Sequence, residues 1–365
     1  MKGESIMIGI VLSPTSFNRE IKRLNKEHNI FNQYKILAKK YQIDLCMFSF
    51  KQISKNLKMI DALVYSWIQD NLIRKTLALP RINIVYNTSY IANQGQINNF
   101  EKLRNQNIYF INLPLKFQAN KLRNYEYIQS HNQLKDHVPP SKPLSLEFLE
   151  SFIRQYDKVI IKPIFGKKGR GMTIIEKDQT QYKVCQTPLG KKDFTDRLNS
   201  NQKKLSIPHS HLKRFYNKNF GKSKSFLVQQ WIPFKEFKGR PFDIRAIVQK
   251  NGKNKWQLTS RVARVAKEPG QITNLSQGGE MVSFSNMQLK KYFRDIREFC
   301  LEIAKTMAKV YPWTAEMGID LAIDKNGKLW YIETNFCPEK IRWDTTFKIP
   351  FEHAYYLYTK KVLGD

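Results

Sequence analysis

The sequence predicts an α/β layer followed by an α+β half in one chain, and three observations carry that expectation. Short apolar runs alternate with amphipathic stretches over residues 1–112. After residue 225, strand-type runs closed by Asn-Gly turns dominate. Between the two lies a basic segment in which a glycine-rich turn separates two β-branched runs. With 365 residues, 41% of them hydrophobic and 13% aromatic, the chain can fill two or three packed cores.

The elements follow in order. MIGIVLS (7–13), a helical pattern around Asn32–Tyr41, DLCMFSF (44–50), ALVYSW (62–67) and RINIVYN (81–87) have the rhythm of a βαβ layer with a parallel sheet. No GxGxxG follows any of these strands, which argues against a dinucleotide site. Asn120–Leu134 reads as a helix, stopped by the two prolines of Asp136-His137-Val138-Pro139-Pro140-Ser141, where a linker is expected. Ser145–Tyr156 has helical periodicity behind a serine cap and leads into the strand KVIIKPIF (158–165). SFLVQQWI (225–232), DIRAIVQK (243–250), KWQLTSRVARV (255–265), GIDLAID (318–324) and KLWYIETN (328–335) have strand composition. Asn251-Gly252 and Asn326-Gly327 supply hairpin turns, and one long helix over about Met287–Met307 interrupts the strands.

Charge and cysteine usage narrow the function classes. The chain holds 62 Lys+Arg against 31 Asp+Glu, a formal +31 that calls for a polyanionic ligand, polymer or surface. Residues 151–225 carry 18 of those cations against 5 acids. The four cysteines are scattered with no CxxC pair, which supports neither a zinc knuckle nor a disulfide framework and suits a reducing, cytoplasmic setting. No apolar run approaches the ~18–20 residues of a membrane span, and no secretory leader is recognisable. No RNA-recognition, zinc-finger or helix-turn-helix pattern accompanies the basic balance, so nucleic acid is not the expected partner.

Two stretches carry chemistry. Phe165-Gly166-Lys167-Lys168-Gly169-Arg170-Gly171-Met172 combines glycines, which let backbone N–H groups converge on an anion, with cations that balance its charge. A strand-like MTIIEK (172–177) follows it, so it is not a Walker A loop but a hairpin flap, with Lys162 on the incoming strand. A three-glycine turn is also an ordinary loop and needs corroboration. The carboxylate end provides it: Glu333 and Asn335 share one strand face, with Trp330 and Ile332 on the other. If a four-residue loop over 324–327 closes the hairpin, Leu321 pairs with Trp330 and Asp320 with Tyr331, which places Asp320 on the Glu333 and Asn335 face. Two carboxylates and an amide oxygen are the hard donors that Mg²⁺ takes alongside nucleotide phosphates. Between these ends lie Asp243-Ile244-Arg245, Arg261 and Arg264, and Asn274-Leu275-Ser276-Gln277-Gly278-Gly279.

Taken together, Lys162, GKKGRG, QQWIP, DIR, RVARVAKEPG, TNLSQGG, GID and YIETN in this order resemble the ATP-grasp superfamily, and within it the YheC/YheD branch of endospore coat-associated proteins. The resemblance covers about residues 113–350. It implies a pre-ATP-grasp domain over 1–112, a linker helix and first ATP-grasp subdomain with the flap over 113–225, and a second subdomain over 226–365, the two subdomains clamping ATP. It further implies that Lys121, Lys162 and the flap glycines Gly166, Gly169 and Gly171 hold phosphates. Gln229, Gln230, Trp231 and Ile232 would bind and pack on adenine, and Asp243 would meet the ribose. Arg245, Arg261 and Asn274 would serve the transferring phosphoryl group, with Asp320, Glu333 and Asn335 as magnesium ligands. Many grasp enzymes have Glu-Lys where this chain has Gln229-Gln230; a neutral amide still accepts from an adenine amine, while base selectivity is put in doubt.

The implied cofactors are ATP and Mg²⁺, and the implied chemistry is activation of a carboxylate as an acyl phosphate for attack by an amine. The basic excess suggests an acidic small molecule, peptide or polymer as substrate, and the branch suggests spore coat components as partners. The alternative is a coat- or polymer-binding protein that keeps the fold without turnover. Thermal shift with Mg-ATP and ADP release discriminate the two.

Overall fold

The computed structural model describes residues 7–23, 30–79, 82, 84–89, 98, 102–103, 108–112, 120–166, 169–187, 203–221, 225–267, 273, 275, 278–338 and 343–360. These residues form three sheets, each with helices on at least one face. The first sheet contains β1 (Met7–Val11), β2 (Asp44–Phe48), β3 (Met59–Ser66), β4 (Asn71–Ala78), β5 (Ile84–Asn87) and β6 (Tyr109–Ile111), in the order β4-β3-β2-β1-β5-β6. β1, β2, β5 and β6 run parallel, as the alternating rhythm predicts. β3 and β4 do not: they fold back as an antiparallel hairpin at the edge. β4, NLIRKTLA, has mostly exposed side chains, so no apolar alternation announces it.

β1 and β2 are buried along their whole length, because helices cover one face and Leu57, Leu79, Ile82 and Leu103, from outside the strands, pack on the other. Ile8 and Ile10 point to α1 (Pro14–Ile21) and α2 (Ile30–Tyr41), while Met7 and Val11 join the opposite core. The core on the α2 side has a further contributor from the far end of the chain. A carboxy-terminal helix, α7 (Trp343–Tyr358), inserts Phe347, Phe351, Ala354 and Tyr358 among Tyr34, Leu37 and Tyr86. Strand-rich text around it hid this helix, and Pro350 inside it breaks the usual helical signal.

The second sheet contains β7 (Ser141–Pro143), β8 (Lys158–Pro163), β9 (Thr173–Lys177), β10 (Gln181–Gln186), β11 (Lys203–Pro208) and β12 (Phe226–Gln230), in the order β11-β10-β9-β8-β12-β7. The chain enters it through α3 (Lys121–Gln129), shorter than the Asn120–Leu134 pattern suggests, and capped by the Asn120 side chain accepting from the Arg123 N–H. The expected linker runs into an edge of this sheet: a 3₁₀ turn over Lys135–His137 leads to Pro140, whose carbonyl accepts from Gln230 N–H at 3.0 Å, and Ser141–Pro143 pairs with β12. α4 (Leu146–Tyr156) starts at Ser145, whose hydroxyl accepts from Phe148 N–H, and buries Leu149, Phe152 and Ile153 against Val159 and Ile161. By strand alternation, Ile160 and Lys162 then face the other way. α5 (Leu212–Asn219) closes the same core with Leu212 and Phe215.

The third sheet contains β13 (Glu236–Phe237), β14 (Arg240–Lys250), β15 (Trp256–Val265), β16 (Glu280–Val282), β17 (Glu316–Ile323) and β18 (Leu329–Asn335), in the order β16-β15-β14-β17-β18 with β13 on β14. One face carries Ile244, Ala246, Ala263, Val265, Ile319 and Leu321 against α6 (Phe293–Val310). The helix begins later than Met287 because Gln288 adopts the left-handed conformation (φ 55°) and a 3₁₀ turn over Leu289–Tyr292 precedes it. The opposite face carries Asp243, Arg245, Arg264 and Asp320, so the strand parity that builds the core also gathers the charges.

A polar joint ties the first sheet to the third. Glu316, 2% exposed, accepts from Tyr86 Oη at 3.2 Å, Asn112 Nδ2 at 3.4 Å and Gln249 Nε2 at 2.5 Å. Asn112 in turn receives the Ala315 N–H on its side-chain oxygen at 2.7 Å. Among the described residues no helix is long and apolar enough to cross a membrane.

Candidate active site

The second and third sheets and the start of α3 enclose one cavity. Lys121, Lys162, Gly166, Gly169, Arg170 and Met172 line one side, Gln229 to Ile232 and Phe234 a second, and Asp243, Arg264, Asp320, Ile332 and Glu333 a third. The cavity therefore joins the glycine hairpin to the carboxylate strand, as the sequence reading requires.

On the flap side, Lys121 is the first residue of α3, and its N–H is held by Ile164 O at 3.1 Å. Its ammonium donates to Gly166 O and lies 3.5 Å from Glu333 Oε2, which bridges the two sides. Gly169 and Gly171 have φ of 66° and 68°, the left-handed region where glycine carries no Cβ penalty. Thr187 pins this turn, accepting from Met172 N–H at 2.8 Å and donating to Gly169 O at 3.0 Å. Lys167 and Lys168 lie outside the described residues.

Lys162 sits deeper. Its ammonium donates to Gln229 Oε1 at 2.7 Å. Gln229 Nε2 donates to Ser141 Oγ at 2.7 Å, and Ser141 Oγ donates to Pro139 O at 2.8 Å. The order of donors fixes the amide: the hydroxyl proton goes to the carbonyl, the NH₂ to the hydroxyl, and the amide oxygen is left for the lysine. Burial pushes the Lys162 ammonium down to about 8, with Lys121 adding to the fall and Glu333 opposing it. Gln229, 2% exposed, is thus engaged with Lys162, whereas the resemblance assigns it to adenine. Gln230, Trp231 and Ile232 remain along the cavity wall, where Trp231 and Phe234 lie near-parallel with centroids 6.4 Å apart.

The third side is a charge ladder across adjacent strands. β14 and β15 place Asp243 opposite Arg264, and β14 and β17 place Arg245 opposite Asp320. Arg264 Nε donates to Asp243 Oδ1 at 2.7 Å, and its Nη2 also reaches Asp320 Oδ2 at 2.9 Å. Arg245 holds Asp320 from the other side through both Nε and Nη2. Thr273 Oγ1 donates to Asp243 Oδ2 at 2.5 Å. Burial would raise the Asp320 carboxyl, but Arg245 and Arg264 together hold it below the ordinary range, so it is ionised.

β17 and β18 pair Asp320 directly with Glu333, not with Tyr331. A bulge between Asp320 and Leu321 leaves Leu321 opposite Tyr331 and makes Ile332 the extra residue. Tyr331 goes to the core, and both Ile332 and Glu333 line the cavity, which corrects the simple alternation expected for this strand. Asp320 and Glu333 are adjacent hard oxygen donors of the kind a magnesium ion takes beside phosphates and water, with the Asp320 oxygens also held by Arg245 and Arg264. Asn335 is placed differently: its Oδ1 accepts from Cys337 N–H at 3.0 Å, and the residue does not line the cavity. Among the described residues no three His, Cys, Asp or Glu side chains form an all-protein cage.

Arg261 is also placed away. It lies three residues from Arg264 on one strand and so takes the opposite face, with its guanidinium 5.1 Å from the Phe284 ring centre and 3.8 Å from that of Phe293. Arg264 is the arginine that this strand turns to the cavity. Parity with Asp243 across the β14–β15 hairpin was the signal that separates the two. Arg245 does not line the cavity, and its guanidinium is bonded to Asp320, which does. Asn274 lies outside the described residues.

Comparison with known proteins sets this geometry in a family. The chain is 28% identical over 242 residues to the endospore coat-associated protein YheD of Bacillus subtilis, covering 60% of this chain and 49% of that protein. It is 23% identical over 222 residues to YheC of the same organism, covering 58% and 57%. The chain thus spans about half the length of the curated relatives it matches. Among solved structures, D-alanyl-alanine synthetase A from Vibrio cholerae superposes with a TM-score of 0.54 at 11% identity over 99% of this chain and 98% of that one. D-cycloserine synthetase DcsG gives 0.53 at 10% identity over 97% and 99%. At these identities the two show a shared fold. A family model described as YheC/D like ATP-grasp matches residues 107–357, and the chain belongs to that family.

Proposed function

We propose that the chain binds Mg-ATP in this cavity and activates a carboxylate for ligation to an amine. One observation carries the reading: Lys121 and Lys162 from one side and Asp320 and Glu333 from the other line a single cavity, with Lys121 3.5 Å from Glu333. A nucleotide triphosphate with its divalent ion needs cations and carboxylates at once, and neither half alone suffices.

In this reaction class a substrate carboxylate oxygen takes the γ-phosphoryl group of ATP, and ADP leaves as the β–γ bridge breaks. The amine nitrogen then displaces phosphate from the acyl carbon. Magnesium held by Asp320 and Glu333 would neutralise charge on the phosphoryl oxygens. Lys162, fixed by Gln229 and Ser141, is pre-positioned for phosphate oxygens and needs no reordering to meet them. Arg245 and Arg264 keep Asp320 ionised and aimed. The flap turn at Gly169 and Gly171 offers backbone N–H groups and Arg170 above the same space. Gln230, Trp231, Ile232 and Phe234 provide the apolar wall for a base. We carry the acidic peptide or polymer substrate, a cytoplasmic setting and the coat association of the relatives into this reading as proposals, as we do the domain division at residues 112 and 225.

One observation favours a second reading, a nucleotide-binding protein without turnover: Asn335, the third expected metal ligand, does not line the cavity. Both readings are tested together. Thermal shift with Mg-ATP reports binding, and ADP release with acidic peptides and amines reports turnover. We expect both in the native chain, and loss of release in Glu333→Ala. Full release by that variant contradicts the metal assignment, and binding without release supports the second reading.

A further inference from the structure

A second concavity lies on the amino-terminal sheet. Its walls are the outer face of α1 and the residues that close it, with Arg19, Lys22 and Arg23, and Lys51 from the turn after β2. Lys22, which caps α1, and Arg23, just beyond it, follow Arg19 by three and four residues, while Phe17 and Glu20 take the buried face. Glu20, the only acid on α1, is 2% exposed and accepts from Ile30 N–H at 2.9 Å as well as from Arg19 Nε at 3.2 Å. The groove side of the helix is left with cations, and no carboxylate is among the described residues that line it.

Position in the fold adds an independent reason to expect a ligand. β1 is flanked by parallel β2 on one side and parallel β5 on the other, so the strand order reverses there. Open α/β sheets bind ligands outside the carboxyl ends of their strands, and the groove opens at that end on the β2 side of β1. Ser13, the cap of α1, follows β1 by two residues, and Lys51 follows β2 by three. The end of β5 links this region to the candidate active site: Thr88 N–H donates to Val11 O at 3.0 Å, and Cys337 Sγ donates to Thr88 O at 3.3 Å. Cys337 comes four residues after Glu333. A chain lying along α1 from Pro14 to Lys22 spans ~12 Å, or about four extended residues.

We propose that this groove binds a carboxylate-rich peptide segment, with Arg19, Lys22, Arg23 and Lys51 as its partners, and so tethers an acidic peptide by a stretch remote from the carboxylate that reacts. The tethering purpose rests on the ligase reading; the binding does not. Guanidinium forks match carboxylates. Single-stranded nucleic acid asks for stacking platforms, and no aromatic ring lines the groove among the described residues.

The test uses the full chain and a fluorescein-labelled decaglutamate, with anisotropy read without nucleotide at low and high salt. We expect binding that weakens with salt. The combined variant Lys22→Glu, Arg23→Glu and Lys51→Glu should lose affinity about tenfold or more, because rim charges set this attraction. An equal reversal on α5, Lys213→Glu, Arg214→Glu and Lys218→Glu, controls for net charge and should leave affinity within about twofold by the same screening. Equal losses in both variants, no binding by the native chain, or tighter binding of a decathymidylate that the groove variant abolishes would each overturn the proposal. Mg-ATP thermal shift on the same samples keeps the two readings apart: it fails only if the cavity assignment is wrong, and the groove variant should leave it unchanged.

Discussion

The two walls of the cavity manage charge in opposite ways. On the wall formed by β14, β15 and β17, Asp243, Arg264, Asp320 and Arg245 form a closed alternation in which every charge meets an opposite one at hydrogen-bond distance. On the wall formed by β8 and β12, Lys162 rests on a neutral amide, and burial outweighs the attraction of Glu333 for its charge. The first arrangement holds the fold and orients a carboxylate. The second stores an unsatisfied attraction for an anion. Ligand affinity is therefore expected to come from the lysine wall, and rigidity from the arginine wall.

The largest effect expected from this contrast is on stability. Asp320→Ala removes the acid shared by two buried guanidiniums and should cost about 3–5 kcal/mol in denaturant unfolding, because breaking a buried network leaves charges uncompensated. An effect below about 1 kcal/mol would place Asp320 among weak surface pairs.

Lys162→Met should do the reverse. A lysine held at about 8 in the folded chain, against 10.5 unfolded, binds fewer protons when folded, so native stability rises as pH goes from about 8 to 10.5. Removing the charge should recover up to ~3 kcal/mol near neutral pH, less whatever cavity water screens and the Gln229 bond supplies. The same variant should lose the Mg-ATP thermal shift. In the native chain, nucleotide affinity should fall as pH rises through about 8, when Lys162 loses its proton, and calorimetric titration at two pH values checks this.

A smaller effect probes the packing that aims Arg245. A Cβ on Gly318 would lie 2.8 Å from Pro338 Cβ and 3.3 Å from Arg245 Nη1. Gly318→Ala should destabilise by about 1–3 kcal/mol through overpacking and displace the guanidinium from Asp320. The smallest expected effect is that of Ser141→Ala, which leaves the Gln229 NH₂ without its acceptor at a cost of about 1 kcal/mol. It should weaken Mg-ATP more than it weakens the fold, since Lys162 loses its orientation.

Much of this was legible in the residues, for physical reasons that also mark where legibility stopped. Period-two alternation in DIRAIVQK and GIDLAID places Asp243, Arg245 and Asp320 on one face, and the glycines around Arg170 announce a turn. Alternation fails where the backbone departs from it. The bulge beside Asp320 changed its partner from Tyr331 to Glu333, and nothing in LWYIET signals an inserted residue. Two arginines on β15 look equivalent until their parity is compared with Asp243. Gln229 has the composition of an adenine contact, but its bond to Lys162 depends on Ser141, 88 residues away in sequence. Helix α7 carries no such signal, because its buried face packs on Tyr34 and Leu37 near the other end of the chain, which local pattern does not encode.

A double-mutant cycle on Mg-ATP affinity with Lys162→Ala and Glu333→Ala tests the central claim most directly. If one nucleotide and its ion span both walls, the two losses will be non-additive by about 1 kcal/mol or more with Mg²⁺ and closer to additive without it. Additive losses under both conditions would contradict a shared ligand.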